Sequence, residues 1–227
     1  MLIYATGDLH YPEYKELFQS SLKKLKDQPD LFLLAGDISA AFHPRQWYNV
    51  VKLLEKFKCP IIAVPGNSDF DQHLELIQKI CGEKIKLLND ELIDLKISGK
   101  TISIIGSRGV LDMPTPWQLA HIADAKMLYE ERAKKIKELV KKMRGDFKIL
   151  LTHYAPVYET VEGEAESIKP QLATKLLYEV MDKKYLDLVV HAHAHCGTAF
   201  ANISGVPVFN VSLPLNNEIV VIDTEKI

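Results

Sequence analysis

The chain has 227 residues, of which 47% are hydrophobic and 26% are charged, and its formal net charge at pH 7 is −2. This composition is typical of an ordinary globular protein, and the near-balanced charge gives no whole-chain bias towards nucleic acid or anionic membranes. No apolar run reaches the length of a membrane span, and the first residues predict a strand and not a signal peptide. The three cysteines are odd in number and form no CxxC pair, so we expect a cytoplasmic protein without a disulfide framework.

The first part of the chain alternates apolar runs with amphipathic segments. Leu2–Thr6, Leu31–Ala35 and Ile61–Val64 predict buried strands. Between them, Glu13–Lys26 and Arg45–Phe57 carry apolar residues at helical spacing and predict helices. Continuous apolar strands separated by helices indicate a parallel sheet that is covered on both faces.

The pattern changes after residue 90. Leu92–Ile97 alternates apolar and charged residues and, with Thr101–Gly106 beyond a Ser-Gly-Lys turn, predicts an antiparallel hairpin. The longest predicted helix is Asp124–Met143. The later predicted elements are strands at Lys148–Thr152, Leu186–Val190, Pro207–Val211 and Ile219–Asp223, and a helix near Ala173–Lys184. No repeat, low-complexity tract or linker divides the chain, so we expect one domain over residues 1–227.

Two long connections, Ser107–Ile122 and Tyr154–Gln171, interrupt these elements. Loops of this length in a compact domain are usually functional or disordered, and we expect both to flank the functional site. In the first, Trp117 could stack on a base, but packing in the core is the favoured interpretation. The acidic residues of the second are Glu159, Glu162, Glu164 and Glu166. The charge of Glu162, Glu164 and Glu166 predicts a preference for small phosphodiesters over long polyanions.

Five apolar runs end in side chains that can bind a metal ion. These are Asp8 with His10, Asp37, Asn67, His153, and the cluster His191, His193 and His195. Ligands in open α/β sheets bind beyond the carboxyl ends of the strands, so the five ends can form one pocket. The three clustered histidines are spaced two residues apart and therefore project from one face of an extended backbone. Mixed oxygen and nitrogen donors suit Mn²⁺, Fe or Zn²⁺ better than Mg²⁺ or Ca²⁺.

The order of these residues resembles the signature of the calcineurin-like metallophosphoesterases. The matching segments are Asp8-x-His10, Gly36-Asp37, Gly66-Asn67-x-Asp69, His153 and Ala192-His193-Ala194-His195. In compact size the chain is similar to the bacterial and archaeal phosphodiesterases of that superfamily. The resemblance implies an α/β fold, a four-layer αββα sandwich of two mixed β-sheets flanked by helices. It also implies two divalent transition-metal ions at one rim, with Mn²⁺ favoured over Fe, Zn²⁺ or Ni²⁺.

The same resemblance implies a role for each donor. One ion would take Asp8, His10 and His195, the other would take Asn67, His153 and His193, and Asp37 would bridge the two. Asp37 and Asn67 would also be the catalytic residues. In such a site, paired cations generate hydroxide near neutral pH and clamp the phosphoryl group. His191 lies outside the ligand set and, with Asp69, is expected to support the ligands from behind.

Two positions depart from the signature, and they leave an alternative open. Ala192 replaces a usual glycine, which is a mild change. Ser68 stands where many members have a histidine that protonates the leaving group, so a catalytically weak, metal-binding scaffold that binds other proteins is the alternative function. Because all seven metal-binding positions are present, hydrolysis of small phosphodiesters is the favoured hypothesis. Ser68 and Arg108 are the candidate substrate-binding residues, and Arg108 is either a bidentate phosphate ligand or an exposed loop arginine.

The lysine-rich helix Asp124–Met143 raises the question of nucleic acid. Its lysines alternate with glutamates around an apolar stripe, which is typical of a solvated helix face. Nucleic acid is therefore disfavoured as a partner, no membrane partner is expected, and a small phosphate ester is the expected substrate. The oligomeric state is left open.

Overall fold

The computed structural model describes all 227 residues of the chain. Eleven strands lie at β1 (Leu2–Thr6), β2 (Leu31–Ala35), β3 (Ile61–Val64), β4 (Lys86–Leu87), β5 (Glu91–Ile97), β6 (Lys100–Ser107), β7 (Phe147–Thr152), β8 (Leu188–His191), β9 (Phe200–Ile203), β10 (Val206–Asn210) and β11 (Val220–Asp223). Six α-helices lie at α1 (Lys15–Lys24), α2 (Trp47–Leu54), α3 (Leu74–Cys81), α4 (Pro116–His121), α5 (Ala125–Lys142) and α6 (Leu213–Asn216). None of the six combines the length and apolarity that crossing a bilayer requires.

The strands form two mixed sheets. The first has the order β11-β1-β2-β3-β4 and is parallel except for β11, which pairs antiparallel with β1. The second has the order β5-β6-β7-β8-β10-β9, with four parallel strands and an antiparallel strand at each edge. The predicted hairpin is β5 and β6, joined by Ser98 and Gly99 at positive φ, as a two-residue hairpin turn requires. Residues 198–227 supply strands to both sheets.

Three apolar layers hold the sandwich together. Along β1, Ile3 lies between the two sheets, where it belongs to the same buried cluster as Leu151 of β7, whereas Tyr4 packs towards helices α1 to α3. On the far side of the second sheet, Leu150 packs with Ile136 of α5. Burial of each such side chain contributes about 1.5–3 kcal/mol to folding. Helices, sheet, sheet and helix therefore follow one another in four layers, which confirms the predicted αββα fold.

The helix expected near Ala173–Lys184 is wrong, because this segment contains only one 3₁₀ turn, at Tyr178–Val180. Its first backbone donors are used outside the segment. The Thr174 N–H donates to the Ala155 carbonyl at 3.2 Å, and the Lys175 N–H donates to the Asp112 carboxylate at 2.9 Å. These tertiary hydrogen bonds override the helical propensity of the local sequence.

Helices α3, α4 and α6 and strands β4 and β9 are not predicted from the sequence, and all are short. Helix α4 falls within the connection Ser107–Ile122. The Thr115 hydroxyl accepts from the Gln118 N–H at 3.2 Å, and the Gln118 side chain accepts from the Thr115 N–H at 2.8 Å. This capping box, with Pro116 at the first helical position, fixes a helix of under two turns on the surface.

Candidate metal centre and adjoining cleft

Side chains that could bind a metal ion come from five strand ends and meet at one rim of the sandwich. They follow β1, β2, β3, β7 and β8, and they are Asp8, His10, Asp37, Asn67, His153, His193 and His195. Within each sheet these strands run parallel, so their carboxyl ends point the same way. The first sheet supplies the carboxylates, the amide and one imidazole, and the second supplies the other three imidazoles.

One group of donors surrounds Asp8. His195 Nε2 lies 3.4 Å from Asp8 Oδ2, and His10 Nε2 lies 3.7 Å from Asp37 Oδ2. Candidate ligand atoms of Asp8, His10 and His195 all lie within 4.8 Å of one another. Two imidazoles and a carboxylate at this spacing could hold one cation.

A second group surrounds His153. Its Nδ1 lies 2.9 Å from the carbonyl of Ala35, which can only accept, so Nδ1 carries the ring proton and Nε2 has a free lone pair. That Nε2 lies 2.9 Å from Asn67 Oδ1 and 3.8 Å from Asp37 Oδ1. The His193 ring follows at a centroid distance of 4.8 Å. Two acceptor atoms 2.9 Å apart repel each other, and either a cation between them or rotation of the amide removes the repulsion.

The electrostatics of the rim suit a cation. Burial lowers the pKa values of His153 and His193 to about 4, so both rings are neutral and able to ligate at pH 7. Burial, and then the neighbouring Asp8 carboxylate, raise the pKa of Asp37. Burial opposes ionisation of Asp8 too, but the hydrogen bond from His195 and the nearby imidazoles lower its pKa below the usual range. Two close carboxylates disfavour each other's charge unless a cation lies near them.

An unpartnered atom tests whether a metal fits. Asp8 Oδ2 accepts from the His193 backbone N–H at 2.7 Å, but Asp8 Oδ1 is buried without any hydrogen-bond partner. Leaving a buried acceptor unsatisfied costs about 1–3 kcal/mol or more when it is charged. A divalent transition metal held by oxygen and nitrogen donors would satisfy it, so the residues present fit such an ion.

The backbone at the rim adopts strained conformations that aim the donors. Four donor residues have positive φ, namely Asp8 at 54°, His10 at 38°, Asp37 at 52° and His193 at 74°. Non-glycine residues hold such angles only where the surrounding structure enforces them, and they concentrate at functional sites. Gly36, at φ 84°, has no Cβ, and a Cβ there would lie 2.6 Å from His153 Nδ1. Glycine at position 36 therefore both permits the positive φ of the turn and leaves room for the His153 imidazole.

Asp69 holds the loops after β2 and β3 together. Its carboxylate accepts from the backbone N–H groups of Asp37 at 3.1 Å and Gly66 at 2.9 Å, and from Trp47 Nε1 at 3.0 Å. Burial and the nearby Asp37 raise its pKa to about 6. Asp69 forms no hydrogen bond with a histidine, so it supports the rim through the backbone of Asp37. The apolar spacing of Arg45–Phe57 predicts only that Trp47 packs in the core and does not indicate that its indole N–H also supports the rim.

His191 and Ala192 are both fully buried behind the rim. His191 Nδ1 lies 2.8 Å from the Ala192 carbonyl and therefore donates, while Nε2 lies 2.7 Å from the Thr160 hydroxyl and accepts. This bond ties β8 to the second long connection. The Ala192 methyl occupies space that Gly7 leaves free, because a Cβ on Gly7 would lie 2.6 Å from it. The departure from the usual glycine is thereby accommodated.

The two candidate substrate-binding residues are both engaged with the protein. The Ser68 N–H and hydroxyl donate to the two Asp37 oxygens at 2.7 and 2.9 Å. Arg108 Nη2 donates to the Asp71 carboxylate at 2.8 Å and to the Asp69 carbonyl at 2.7 Å. The Arg108 side chain is only 12% exposed, so it is not an exposed loop arginine. Both residues line the cleft beside the rim.

This cleft, of about 620 Å³, begins at Asn67, Ser68 and His193 and runs beneath α4. The connection Ser107–Ile122 forms one side of it, whereas the connection after β7 contributes only its first residue. Trp117 is 47% exposed and lines the cleft, so its predicted packing in the core is wrong. The reason is that α4 is a short surface helix with no sheet face beneath it.

The acidic connection Tyr154–Gln171 is partly neutralised. Lys169 is buried and pairs with Glu162 at 2.8 Å and with Glu166. The Glu164 carboxylate accepts from the Cys196 backbone N–H at 2.7 Å, close to the histidine cluster. Lys169 therefore locally offsets part of the negative charge that Glu162 and Glu166 present.

The molecule is an αββα sandwich with carboxylates and imidazoles, a candidate metal-binding set, gathered at the ends of its strands. A family model described as calcineurin-like phosphoesterase matches residues 1–197, and the chain belongs to that family. No curated protein matches the sequence.

Similar solved structures agree with the fold. The phosphopantetheinyl hydrolase PptH from Mycobacterium tuberculosis is 15% identical, with a TM-score of 0.68 over 96% of this chain and 95% of that one. The protein TT1561 of Thermus thermophilus is 16% identical, with a TM-score of 0.60 over 98% of both chains. The calcineurin-like phosphoesterase YfkN from Bacillus subtilis is 14% identical, with a TM-score of 0.54 over 92% of this chain and 80% of that one. At such identities the likeness concerns the fold alone.

Proposed function

We propose that this phosphoesterase uses two divalent transition-metal ions to hydrolyse phosphodiester bonds in small substrates. The observation that carries the proposal is the convergence of seven donor side chains on one rim, around a buried Asp8 oxygen that has no other partner. Neither the fold nor the comparisons favour the protein-binding scaffold, and an intact donor set favours the enzyme.

Each donor has a proposed position. Asp8, His10 and His195 would hold one ion, Asn67, His153 and His193 would hold the other, and Asp37 would contribute to both. When bound, such ions lower the pKa of a coordinated water and stabilise negative charge on a phosphoryl group. Mn²⁺ is the favoured metal, with Fe, Zn²⁺ or Ni²⁺ as alternatives, because the donors mix oxygen with imidazole nitrogen.

The chain's own residues orient this chemistry. The Ala35 carbonyl fixes the His153 ring so that Nε2 faces Asn67 and Asp37. The two hydrogen bonds from Ser68 hold the Asp37 carboxylate in one orientation. Because its hydroxyl is engaged there and is not acidic near neutral pH, Ser68 is a poor proton donor for a leaving group.

Arg108 is the proposed phosphate contact. It lines the cleft next to Ser68, and its Nε is buried without a hydrogen-bond partner. An exposed residue, Asp71, neutralises part of its charge, so the guanidinium would exchange that carboxylate for a phosphate oxygen.

The proposal is tested with two substrates that share one leaving group, bis(4-nitrophenyl) phosphate and 4-nitrophenyl phosphate. We expect hydrolysis of the diester to require added Mn²⁺ and to exceed that of the monoester. His153→Asn should abolish it, whereas Glu75→Gln on α3, which changes a carboxylate that is 83% exposed and pairs with Lys79, should not change it. Metal-independent rates, or faster cleavage of the monoester, would contradict the proposal.

Residues 1–227 are proposed to act as one domain, because the last thirty residues complete both sheets. A cytoplasmic location is proposed as well. It is supported by three free cysteines, Cys59, Cys81 and Cys196.

A further inference from the structure

The cleft contains a continuous aromatic surface that hydrolysis at the rim does not require. This surface, here called the aromatic wall, consists of Phe42, Phe70, Trp117 and His121. Ring centroids are 4.9 Å apart for Phe42 and Phe70, and 5.5 Å apart for Phe70 and Trp117. The Trp117 and His121 rings stack at 4.5 Å with an angle of 13° between their planes.

The aromatic wall is unusually exposed for such large rings. Phe42 is 70% exposed and Trp117 is 47% exposed. Contiguous exposed apolar surface rimmed by polar groups is typical of a binding site, since leaving it in water forgoes the stabilisation that burial would give. The wall therefore has the properties of a surface that a ligand covers.

The position of the wall connects it with the metal-binding rim. Phe42 follows β2, Phe70 follows β3, and Trp117 belongs to the connection after β6, so all three extend from carboxyl ends of parallel strands. Asn67 and Ser68 line the same cleft as the wall. A ligand of nucleotide size can therefore contact both at once, because a cleft of about 620 Å³ lies within the usual range for small-molecule sites.

We propose that the aromatic wall binds a planar aromatic group of the substrate, a nucleobase or an aryl ring, while the phosphate lies at the rim. This assignment rests on the phosphoesterase function proposed above and adds a substrate class to it. Flat rings stack on aromatic faces whatever their edge groups, and such stacking is an established source of base affinity. The polar side chains of Asp71 and Gln72 at the edge of the cleft suit a ring with hydrogen-bonding edges better than an aliphatic chain.

A long nucleic acid fits this cleft poorly. Binding a polyanionic strand requires a groove of cationic side chains along its backbone. Here the cationic residues lining the cleft, Arg108 and Arg132, are both paired with carboxylates, at Asp71 and Asp90. The wall therefore matches one aromatic group and not a strand.

Binding can be measured without turnover. The chain has two tryptophans, of which Trp47 is fully buried and Trp117 lies in the aromatic wall. Quenching of tryptophan fluorescence that disappears in Trp117→Leu therefore reports on ligand binding at the wall. The Mn²⁺-loaded protein is titrated with adenosine 5′-monophosphate, phenyl phosphate and methyl phosphate. We expect quenching and tight binding with the first two and weak binding without quenching for methyl phosphate. Quenching by the nucleotide alone assigns the wall to nucleobases, and equal affinity for all three overturns the proposal.

Kinetics supply the second measurement. Adenosine 2′,3′-cyclic phosphate and the 2′,3′-cyclic phosphate of base-free 1-O-methylribose have the same leaving groups and differ in the base. Phe42→Leu and Trp117→Leu should raise KM for the adenosine ester by roughly five- to a hundredfold and leave the base-free ester unchanged. Tyr48→Leu, which removes an exposed ring from α2, is the matched control and should change neither.

The outcomes separate the two proposals. If neither ester nor any aryl diester is hydrolysed, the proposed function fails, and the quenching titration still decides the role of the wall. Equal KM increases for both cyclic esters overturn the stacking role. A concentration-dependent dimer that Trp117→Leu dissociates, observed by sedimentation, would also overturn it, because a second copy of the chain would then cover the wall.

Discussion

Replacing Asp37 by asparagine should change the stability of the metal-free and metal-loaded protein in opposite directions. Asp37 is 1% exposed, and burial beside Asp8 raises its pKa. A carboxyl group whose folded-state pKa lies above its unfolded value, and whose charge is therefore disfavoured in the fold, costs stability at every pH above the unfolded value, including pH 7. An amide of the same shape removes that charge. Metal-free Asp37→Asn should therefore have a higher Tm than the metal-free parent.

The change in Tm caused by the substitution should be larger in the metal-loaded protein than in the metal-free protein. An ion at a hundred times its Kd stabilises the folded chain by about 2.7 kcal/mol per site. A chain of this size gains about 2–4 °C in Tm per kcal/mol, so two filled sites correspond to roughly 10–20 °C. Without the Asp37 charge between them, two cations repel each other and lose a shared ligand. The variant should bind one ion at most and gain less than half of that shift.

The assay combines thermal unfolding, with and without Mn²⁺, and elemental analysis after equilibrium dialysis. Glu75→Gln on α3 is the control, because it makes the same carboxylate-to-amide change at an exposed position. It should keep two ions and the full shift. The reasoning is refuted if Asp37→Asn retains two ions and the parent's shift, or if its metal-free Tm falls.

Four further outcomes are expected. Burial lowers the pKa values of His153, His191 and His193 from 6.5 to about 4 and, with the nearby Asp37, raises that of Asp69 to about 6. In metal-free Asp37→Asn, which lacks the opposing Asp37 carboxyl, the three histidines outnumber the one carboxyl, so the unfolded chain binds more protons below pH 6.5 and stability should fall between about pH 6.5 and 4; a flat urea midpoint would contradict this. Leu151→Ala, between the sheets, should cost about 2–5 kcal/mol of unfolding free energy without changing metal content in the folded fraction; a smaller loss in urea melts would mean that the two sheets repack. With Ser68 in place of an imidazole, rates across a series of diesters should fall steeply as leaving-group pKa rises, and a flat plot would show another proton donor. Ser68→Ala removes one hydrogen bond to the Asp37 carboxylate and should weaken Mn²⁺ binding several-fold in a metal titration, while the steep dependence of rate on leaving-group pKa is retained.

The sequence predicted the rim and its scaffold well because both depend on local patterns. Strands covered on both faces appear as continuous apolar runs, so β1, β2 and β3 are found at their predicted bounds. The donors follow these strands directly, and the topology of a parallel sheet brings them to one rim without further information. The αββα layering followed from the resemblance, which the family match confirms.

What the sequence did not predict depends on contacts between distant residues. The aromatic wall combines Phe42, Phe70 and Trp117, which come from three separate loops and show no shared pattern in the chain. Likewise, Arg108 is not an exposed loop arginine because its guanidinium pairs with Asp71. This pair forms only when the loops after β3 and β6, which belong to different sheets, are brought together. Short helices such as α4 carry too few residues for periodicity to identify them.

The position of β11 beside β1 in the first sheet has a consequence for folding during translation. Strand β1 is synthesised early, but its antiparallel neighbour begins only at Val220. At a translation rate of about 5–20 residues per second, one edge of β1 stays unpaired for roughly 10–45 s before β11 is synthesised. Unpaired strand edges promote aggregation. Leu2 and Asp223 are direct partners in the sheet, so a short turn could join them and let β11 emerge first. In a cell-free translation, such a circular permutant should give a smaller insoluble fraction of newly made protein than the chain with its natural strand order. Equal insoluble fractions would show that the unpaired edge of β1 does not cause aggregation.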